Sequence, residues 1–205
     1  MTSINTFLPM KLHCRWQDVS LMASSSAGHC TLPSFVAIRP YEGSDRPGVL
    51  RLLAELPALY PNGDLWLGRR LEDALVGKAR CAIAVAPWGP IGITIETPKG
   101  QHRLKLSTIF VHPNFRKLGI GTELLSSCQH RWVDQGLEQV YVTVAVRHAQ
   151  VVLPLLTQYG FQSAAIELAR YGVGRDEIVL HWQRGGGRDS CLVNPSLAPR
   201  HYSQQ

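Results

Sequence analysis

Apolar positions along the chain alternate between short β-sized runs and stretches with helical spacing. Phe35-Val36-Ala37-Ile38 is an apolar run closed by Pro40 and reads as a strand. Ser44 or Asp45 can cap the next helix, with Pro47 in its first turn. Val49, Leu52, Leu53 and Leu56 then recur at three- and four-residue spacing until Pro57 ends the pattern. Pro61-Asn62-Gly63-Asp64 spells a turn, and Leu67, Leu71 and Leu75 line a second helix that stops at Gly77. Residues 81–86 and 91–96 are β-rich on either side of Pro87-Trp88-Gly89-Pro90, which predicts a hairpin with a loop longer than the tightest turns. Residues 104–111 form the next strand. After Pro113 and Asn114, the positions Ile120, Leu124, Leu125, Cys128 and Trp132 mark one face of a helix, with Gly136 just past its end. Residues 140–146 read as a β-branched strand, 151–156 as a helix with Pro154 in its first turns, and 161–168 and 177–182 as the last strands. The order βααββ-βα-βα-ββ predicts an α/β domain with a mixed sheet.

The flanks lack this periodicity. Residues 1–34 carry Ser24-Ser25-Ser26 and few charges, and read as a loose N-terminal arm. From Arg184 the chain runs through Gly185-Gly186-Gly187, then Pro195 and Pro199, and residues 184–205 read as a flexible tail. The domain is therefore expected over 35–183. With 205 residues and 45% apolar positions, one domain with a substantial core is expected. No apolar run approaches the ~20 residues of a membrane-spanning helix; the longest is 81–86. The first residues lack the charged-then-apolar order of a secretory signal, and five scattered cysteines suit reduced thiols, so a cytoplasmic location is expected. His13-Cys14 and His29-Cys30 lack the spacing that sets two ligands on one metal ion, and none is expected.

The net charge is +6. Half of the excess sits in the ends, in Lys11, Arg15, Arg184, Arg188 and Arg200 against Asp18 and Asp189. Such a mild bias favours anionic ligands by long-range attraction but falls short of a nucleic-acid footprint, which calls for clustered basic residues on one face, and an ordinary solvated surface accounts for it.

The informative chemistry lies between the strand ending at Val111 and the helix beginning near Ile120. The intervening loop reads Arg116-Lys117-Leu118-Gly119-Ile120-Gly121. Free N–H groups at a helix N-terminus bind anions, and glycine lets a diphosphate approach the backbone. Arg116 and Lys117 add positive charge beside it. The spacing fits neither GxxxxGK[ST] nor GxGxxG followed by an acidic residue.

This segment resembles the main signature, R/Q-x-x-G-x-G/A, of the GCN5-related N-acetyltransferase (GNAT) superfamily. Ile38-Arg39-Pro40 ahead of a helix and Gln158-Tyr159-Gly160-Phe161 late in the chain extend the resemblance over about 36–182. The resemblance implies a mostly antiparallel central sheet of about six to seven strands flanked by about four helices, splayed at a central parallel pair. It implies acetyl-CoA as donor, an amine as acceptor and direct attack without a covalent enzyme intermediate. The cofactor's diphosphate would lie on the amides from Lys117 through Leu118, Gly119, Ile120 and Gly121 to Thr122, beside Arg116. Its pantetheine arm would run along Ile109, Phe110 and Val111, with an N–H near Phe110 or Val111 holding the thioester carbonyl.

The catalytic side chains depart from the family pattern. The usual tyrosine falls at Leu156, its neighbouring asparagine at Ala149, and the glutamate of histone-type members at Lys105. Three substitutes are named for acid–base work: Glu96, expected at an exposed strand end; His148, in the loop after a strand; and Tyr159, with Tyr171 as a second phenol. His112 is expected to shape the turn with Pro113, and Cys81 and Cys128 to be core thiols. The acceptor side would be lined by residues 49–56, 67–76 and 81–96, including Arg51, Trp66, Arg69, Arg70 and Trp88. A small molecule or a protein amine is the expected acceptor. A non-catalytic acyl-CoA-binding module is the alternative, toxin-type acetylation of charged tRNA a lesser one, and a homodimer through exposed edge strands is compatible with either.

Overall fold

A computed structural model describes residues 32–185. The arm and tail expectations, and the pairs His13-Cys14 and His29-Cys30, lie wholly or almost wholly outside these residues. Seven strands form one sheet: β1 (Ala37–Pro40), β2 (Arg80–Ala86), β3 (Gly89–Pro98), β4 (Arg103–Val111), β5 (Gln139–Ala145), β6 (Gln162–Glu167) and β7 (Glu177–Gln183). Five helices accompany them: α1 (Arg46–Leu52), α2 (Leu56–Leu59), α3 (Gly63–Leu75), α4 (Ile120–Asp134) and α5 (Ala149–Gln158). The strand order is β1-β2-β3-β4-β5-β7-β6, antiparallel throughout except for β4 and β5. The mixed sheet expected from the sequence is thus present.

Strand alternation divides the core. Cys81, Ile83, Ile93 and Ile95 face Val49, Leu53, Leu67 and Leu71 of the first helices. Leu104, Leu106, Val140, Val142 and Leu180 pack with Leu125, Cys128 and Trp132 of α4. The period of 2 in each strand meets the three- and four-residue periods of the helices, so each apolar stripe finds its partner on one face of the sheet. Among the described residues, no helix is long and apolar enough to cross a membrane, and no group of three or more His, Cys, Asp or Glu is placed to hold a metal ion.

Three local expectations need correction. Pro57 does not close α1, which stops at Leu52; it sits in the first turn of a separate helix, α2, where its missing N–H is harmless. The β2–β3 hairpin turns on only two residues, Pro87 and Trp88, because Ala86 already pairs with Gly89. Pro90 is accommodated opposite Val85 beside a bulge, the usual place for proline in a strand. Helix α5 is longer than expected, and Pro154 lies well inside it with its ring exposed.

Asp45, placed by the sequence as a cap, ties β1 to α1. Arg39 donates from Nη1 and Nη2 to its two carboxylate oxygens, each at 2.8 Å, and the Glu42 N–H adds a third bond at 2.8 Å. The Arg39 hydrogen bonds hold the Asp45 carboxyl below the usual carboxylate range, against its own desolvation. A group with a depressed folded-state pKa stabilises above its unfolded value and loses that contribution as pH falls. Asp45→Asn is expected to cost about 1–2 kcal/mol at pH 7, given that Arg39 is partly exposed. In urea denaturation the gap to wild type should begin to close below about pH 4.

Candidate active site

Strand β4 pairs with β3 from Leu104 to Val111, but with β5 only at Arg103, Leu104 and Lys105. Beyond Lys105 the parallel neighbours separate, while β5 stays paired to β7 along its whole length. A slot therefore opens along residues 106–111, with the unpaired backbone of β4 as one wall. Ser107 is the extra residue of a bulge in β4, since Ile95 pairs with Thr108 and Glu96 with Leu106. Such a bulge bends its strand and helps to part it from β5.

The direction of the free amides follows from the ladder. The N–H of His112 donates to the Ile91 carbonyl at 2.9 Å, so residue 112 faces β3. By antiparallel alternation Phe110 also faces β3, while the N–H groups of Ile109 and Val111 point into the slot. This narrows the expected carbonyl donor from Phe110 or Val111 to Val111, with Ile109 as a second free amide. The Phe110 side chain packs instead with the α1 and α3 core.

At the end of β4 the chain forms a 3-10 turn, Pro113–Phe115, in which His112 Nδ1 accepts from the Asn114 N–H at 3.3 Å. Lys117 (φ 64°) and Gly119 (φ 77°) then adopt left-handed conformations that aim the first turn of α4 at the slot. The Glu123 N–H bonds to the Gly119 carbonyl, so the N–H groups of Gly119, Ile120, Gly121 and Thr122 precede the helical ladder and are available to a ligand. No side chain caps them. Gly121 has a packing reason as well: a Cβ there would stand 3.1 Å from Leu155 of α5. Arg116 is exposed; its Nε donates to the Val111 carbonyl at 3.1 Å, which holds the guanidinium beside this turn.

The three named acid–base candidates lie in different places. Glu96 is not at an exposed strand end: it is 1% exposed, accepts from Trp132 Nε1, and pairs with Arg131 Nη2 at 2.8 Å. It faces α4 at the closed end of the β4–β5 pair, opposite Leu106. The Tyr159 hydroxyl donates to the Thr122 carbonyl at 2.9 Å and so ties the end of α5 to the first turn of α4. His148 is exposed at the open end, and desolvation followed by nearby Arg147 and Arg116 pulls its pKa down. Lys105, where some members carry glutamate, stacks over the Tyr141 ring at 5.8 Å. On the expected acceptor side, Arg70 pairs with Asp73 at 3.1 Å, and Trp88 packs between Phe35 and Phe115.

Burial pushes the Cys81 and Cys128 thiols up to about 12, which leaves almost no thiolate at neutral pH. Brief iodoacetamide treatment at pH 8, followed by peptide mapping, should leave both unmodified until the fold is denatured.

Sequence reasoning passed over one group. Glu177, the first residue of β7, pairs with Ala145 at the end of β5 and is 1% exposed. It lines an open concavity of about 220 Å³ with Leu59, Tyr60, Val146, Arg147 and Arg175. Tyr60 in turn meets Tyr171 edge to face, with ring centroids 5.0 Å apart. Glu177 was visible in the sequence only as a polar residue opening an apolar strand; its surroundings come from β5 and β6 beside it and from Leu59 and Tyr60, more than one hundred positions away.

The comparisons with known proteins agree with this architecture. No curated protein matches the chain at a significant level. Solved structures share its fold at low identity. The ribosomal-protein alanine N-acetyltransferase from Escherichia coli is 18% identical over 72% of this chain and 93% of its own, with a TM-score of 0.60. A GNAT family acetyltransferase from Elizabethkingia anophelis, solved with acetyl-CoA bound, is 17% identical over 74% and 99%, with a TM-score of 0.58. The IAA acetyltransferase from Bacillus cereus is 18% identical over 72% and 99%, with a TM-score of 0.57. The profile of the acetyltransferase (GNAT) family matches residues 34–161, the segment that holds the splayed pair and the uncapped turn before α4, and the chain belongs to that family.

Proposed function

We propose that this protein transfers an acetyl group from acetyl-CoA to a primary amine. The observation that carries the reading is the slot between β4 and β5, which ends on the uncapped first turn of α4. In this reading the cofactor's diphosphate lies on the N–H groups from Gly119 to Thr122, with Arg116 and Lys117 adding charge. The pantetheine arm continues the sheet along Ile109 and Val111. The Val111 N–H donates to the thioester carbonyl and strengthens as that oxygen gains charge on attack. Tyr159 acts here through Thr122, as a positioning residue for the cofactor turn. The acceptor reaches the thioester from the open end, past Tyr60 and Tyr171.

Two measurements test this. Calorimetry should show one molecule of coenzyme A bound per chain. Thiol release from acetyl-CoA should depend on an amine drawn from four probes: a peptide with a free α-amino terminus, an N-blocked lysine peptide, spermidine and phenethylamine. Binding without transfer to any of them would favour the acyl-CoA-binding module. Absence of binding would overturn the cofactor site.

A further inference from the structure

We infer that Glu177 is the base that takes the proton of the incoming ammonium group. The inference rests on the acetyltransferase reading above and adds the group that makes the nucleophile. An amine reaches the site mostly protonated at neutral pH and cannot attack until it loses a proton, so a base of suitable strength near the acyl carbon is required.

Position comes first. Strands β4 and β5 are parallel, so their C-terminal ends lie at the same end of the sheet. That end holds the slot, the start of α4 and, across from Ala145, Glu177. None of the three groups named from the sequence combines this position with a buried carboxylate that has an oxygen to spare.

The state of the side chain comes second. Tyr60 donates to Oε1 at 3.4 Å, while Oε2 is buried without a well-formed hydrogen bond among the described residues, the Thr143 hydroxyl being at most a weak partner of the carboxylate. A buried carboxylate oxygen without a donor is costly, and natural structures rarely retain one without a use. Here the residue lines a concavity of about 220 Å³, and a small turn of its side chain would present the oxygen to an amine seated there. An ammonium group supplies a donor there, and the Tyr60 ring that lines the same concavity adds an aromatic surface that favours a cation. Glu96 makes a useful contrast, because both of its oxygens already have donors.

The surroundings also suit the task. Burial raises the Glu177 pKa above the ordinary carboxylate value. The Thr143 hydroxyl of β5, Arg170 from the β6–β7 connection, the Tyr60 phenol and Lys105 of β4 all pull it down, without cancelling that rise. Glu167 lies opposite on β6, and Arg147, Arg175 and Asp176 line the same concavity. A carboxylate whose pKa is raised by burial accepts a proton more readily than an ordinary one.

The ammonium gives one proton to Glu177, leaving a neutral amine with a free electron pair. That pair forms the C–N bond at the thioester carbon, and the carbonyl oxygen takes up the displaced π electrons. Collapse of the intermediate breaks the C–S bond. The thiolate receives the second nitrogen proton, and Glu177 returns the first to solvent.

The test uses the full-length protein, acetyl-CoA and whichever of the four amine probes wild type acetylates. Glu177→Gln should lower kcat about 100-fold or more, the range for loss of a general base. Its coenzyme A Kd should stay within threefold. The residual rate should climb tenfold per pH unit below the amine's pKa, following the free amine, whereas wild type should level off above the Glu177 pKa. If Glu177→Gln fails to fold, Tyr60→Phe supplies the reading. Loss of a donor that favours the ionised carboxylate should move the acidic limb of kcat/KM to higher pH. A Glu177→Gln enzyme with kcat within threefold of wild type and an unchanged pH profile would overturn the inference alone, as would an unmoved limb in Tyr60→Phe. A wild-type protein that acetylates no probe would overturn it together with the acetyltransferase reading.

Discussion

Gly119→Asp is expected to weaken coenzyme A binding about 100-fold, while Gly119→Asn weakens it less than about 10-fold. The two side chains have nearly the same shape and differ in charge. Gly119 sits at φ 77° as the N-cap of α4, a conformation and a position that Asn and Asp both tolerate better than other L-residues. Backbone strain is therefore shared, and thermal denaturation should give the two variants similar midpoints. What separates them is a carboxylate placed against a diphosphate. Two like charges about 5 Å apart at an effective dielectric near 20 repel by about 3 kcal/mol, which solvent at this exposed turn reduces to about 2. A 1.4 kcal/mol change is tenfold in Kd, so the charge alone supplies most of the difference. Equal binding by Gly119→Asp and Gly119→Asn in calorimetry would mean that no diphosphate lies on this turn.

The second large effect is on stability. Glu96→Ala is expected to destabilise the fold by about 3–4 kcal/mol in urea denaturation. Trp132 is fully buried, and its indole N–H has its acceptor in Glu96. Removing that acceptor strands a donor in the core, which costs about 1–3 kcal/mol. The Arg131 guanidinium loses its ion pair but is about one-third exposed and can turn to solvent, so its share is smaller. The cavity left by the side chain adds to both. Glu96→Gln should cost less, because the amide oxygen can still accept from Trp132. If Glu96→Gln proved as stable as wild type but lost activity and changed the pH profile, Glu96 would return as a proton acceptor in place of Glu177.

The contrast between these two carboxylates shows where sequence reading stops. Both stand in apolar strands, Glu96 near the end of β3 and Glu177 at the start of β7. On the sequence alone, Glu96 attracted a catalytic role because it closes a strand beside the central one, and Glu177 attracted none. Their environments come from distant chain: Arg131 and Trp132 lie 35 and 36 positions beyond Glu96, and Tyr60 lies 117 positions before Glu177. No local pattern records such neighbours. Tyr159 was misleading for the same reason, since the partner of its phenol, the Thr122 carbonyl, belongs to another helix.

Local chemistry was legible. The helix that begins at Ile120 follows from the spacing of its apolar residues, and the turn before it from two glycines and a basic pair within six positions. These signals are short-range because backbone conformation and hydrogen bonding at a helix start depend on adjacent residues. The hairpin loop and the end of α1 were less legible, since Pro87 and Pro57 fit either side of an element boundary until packing selects one.

By itself, then, the amino-acid order determined the alternation of strands and helices and the glycine-containing turn at Arg116–Gly121 that opens α4, because periodicity and backbone stereochemistry act over a few residues. Only the tertiary structure decided how far β4 pairs with β5, which amides face the slot, and which buried carboxylate keeps one oxygen without a well-formed hydrogen bond. Those properties depend on pairing register and on burial, and both arise when distant segments of the chain are brought into contact.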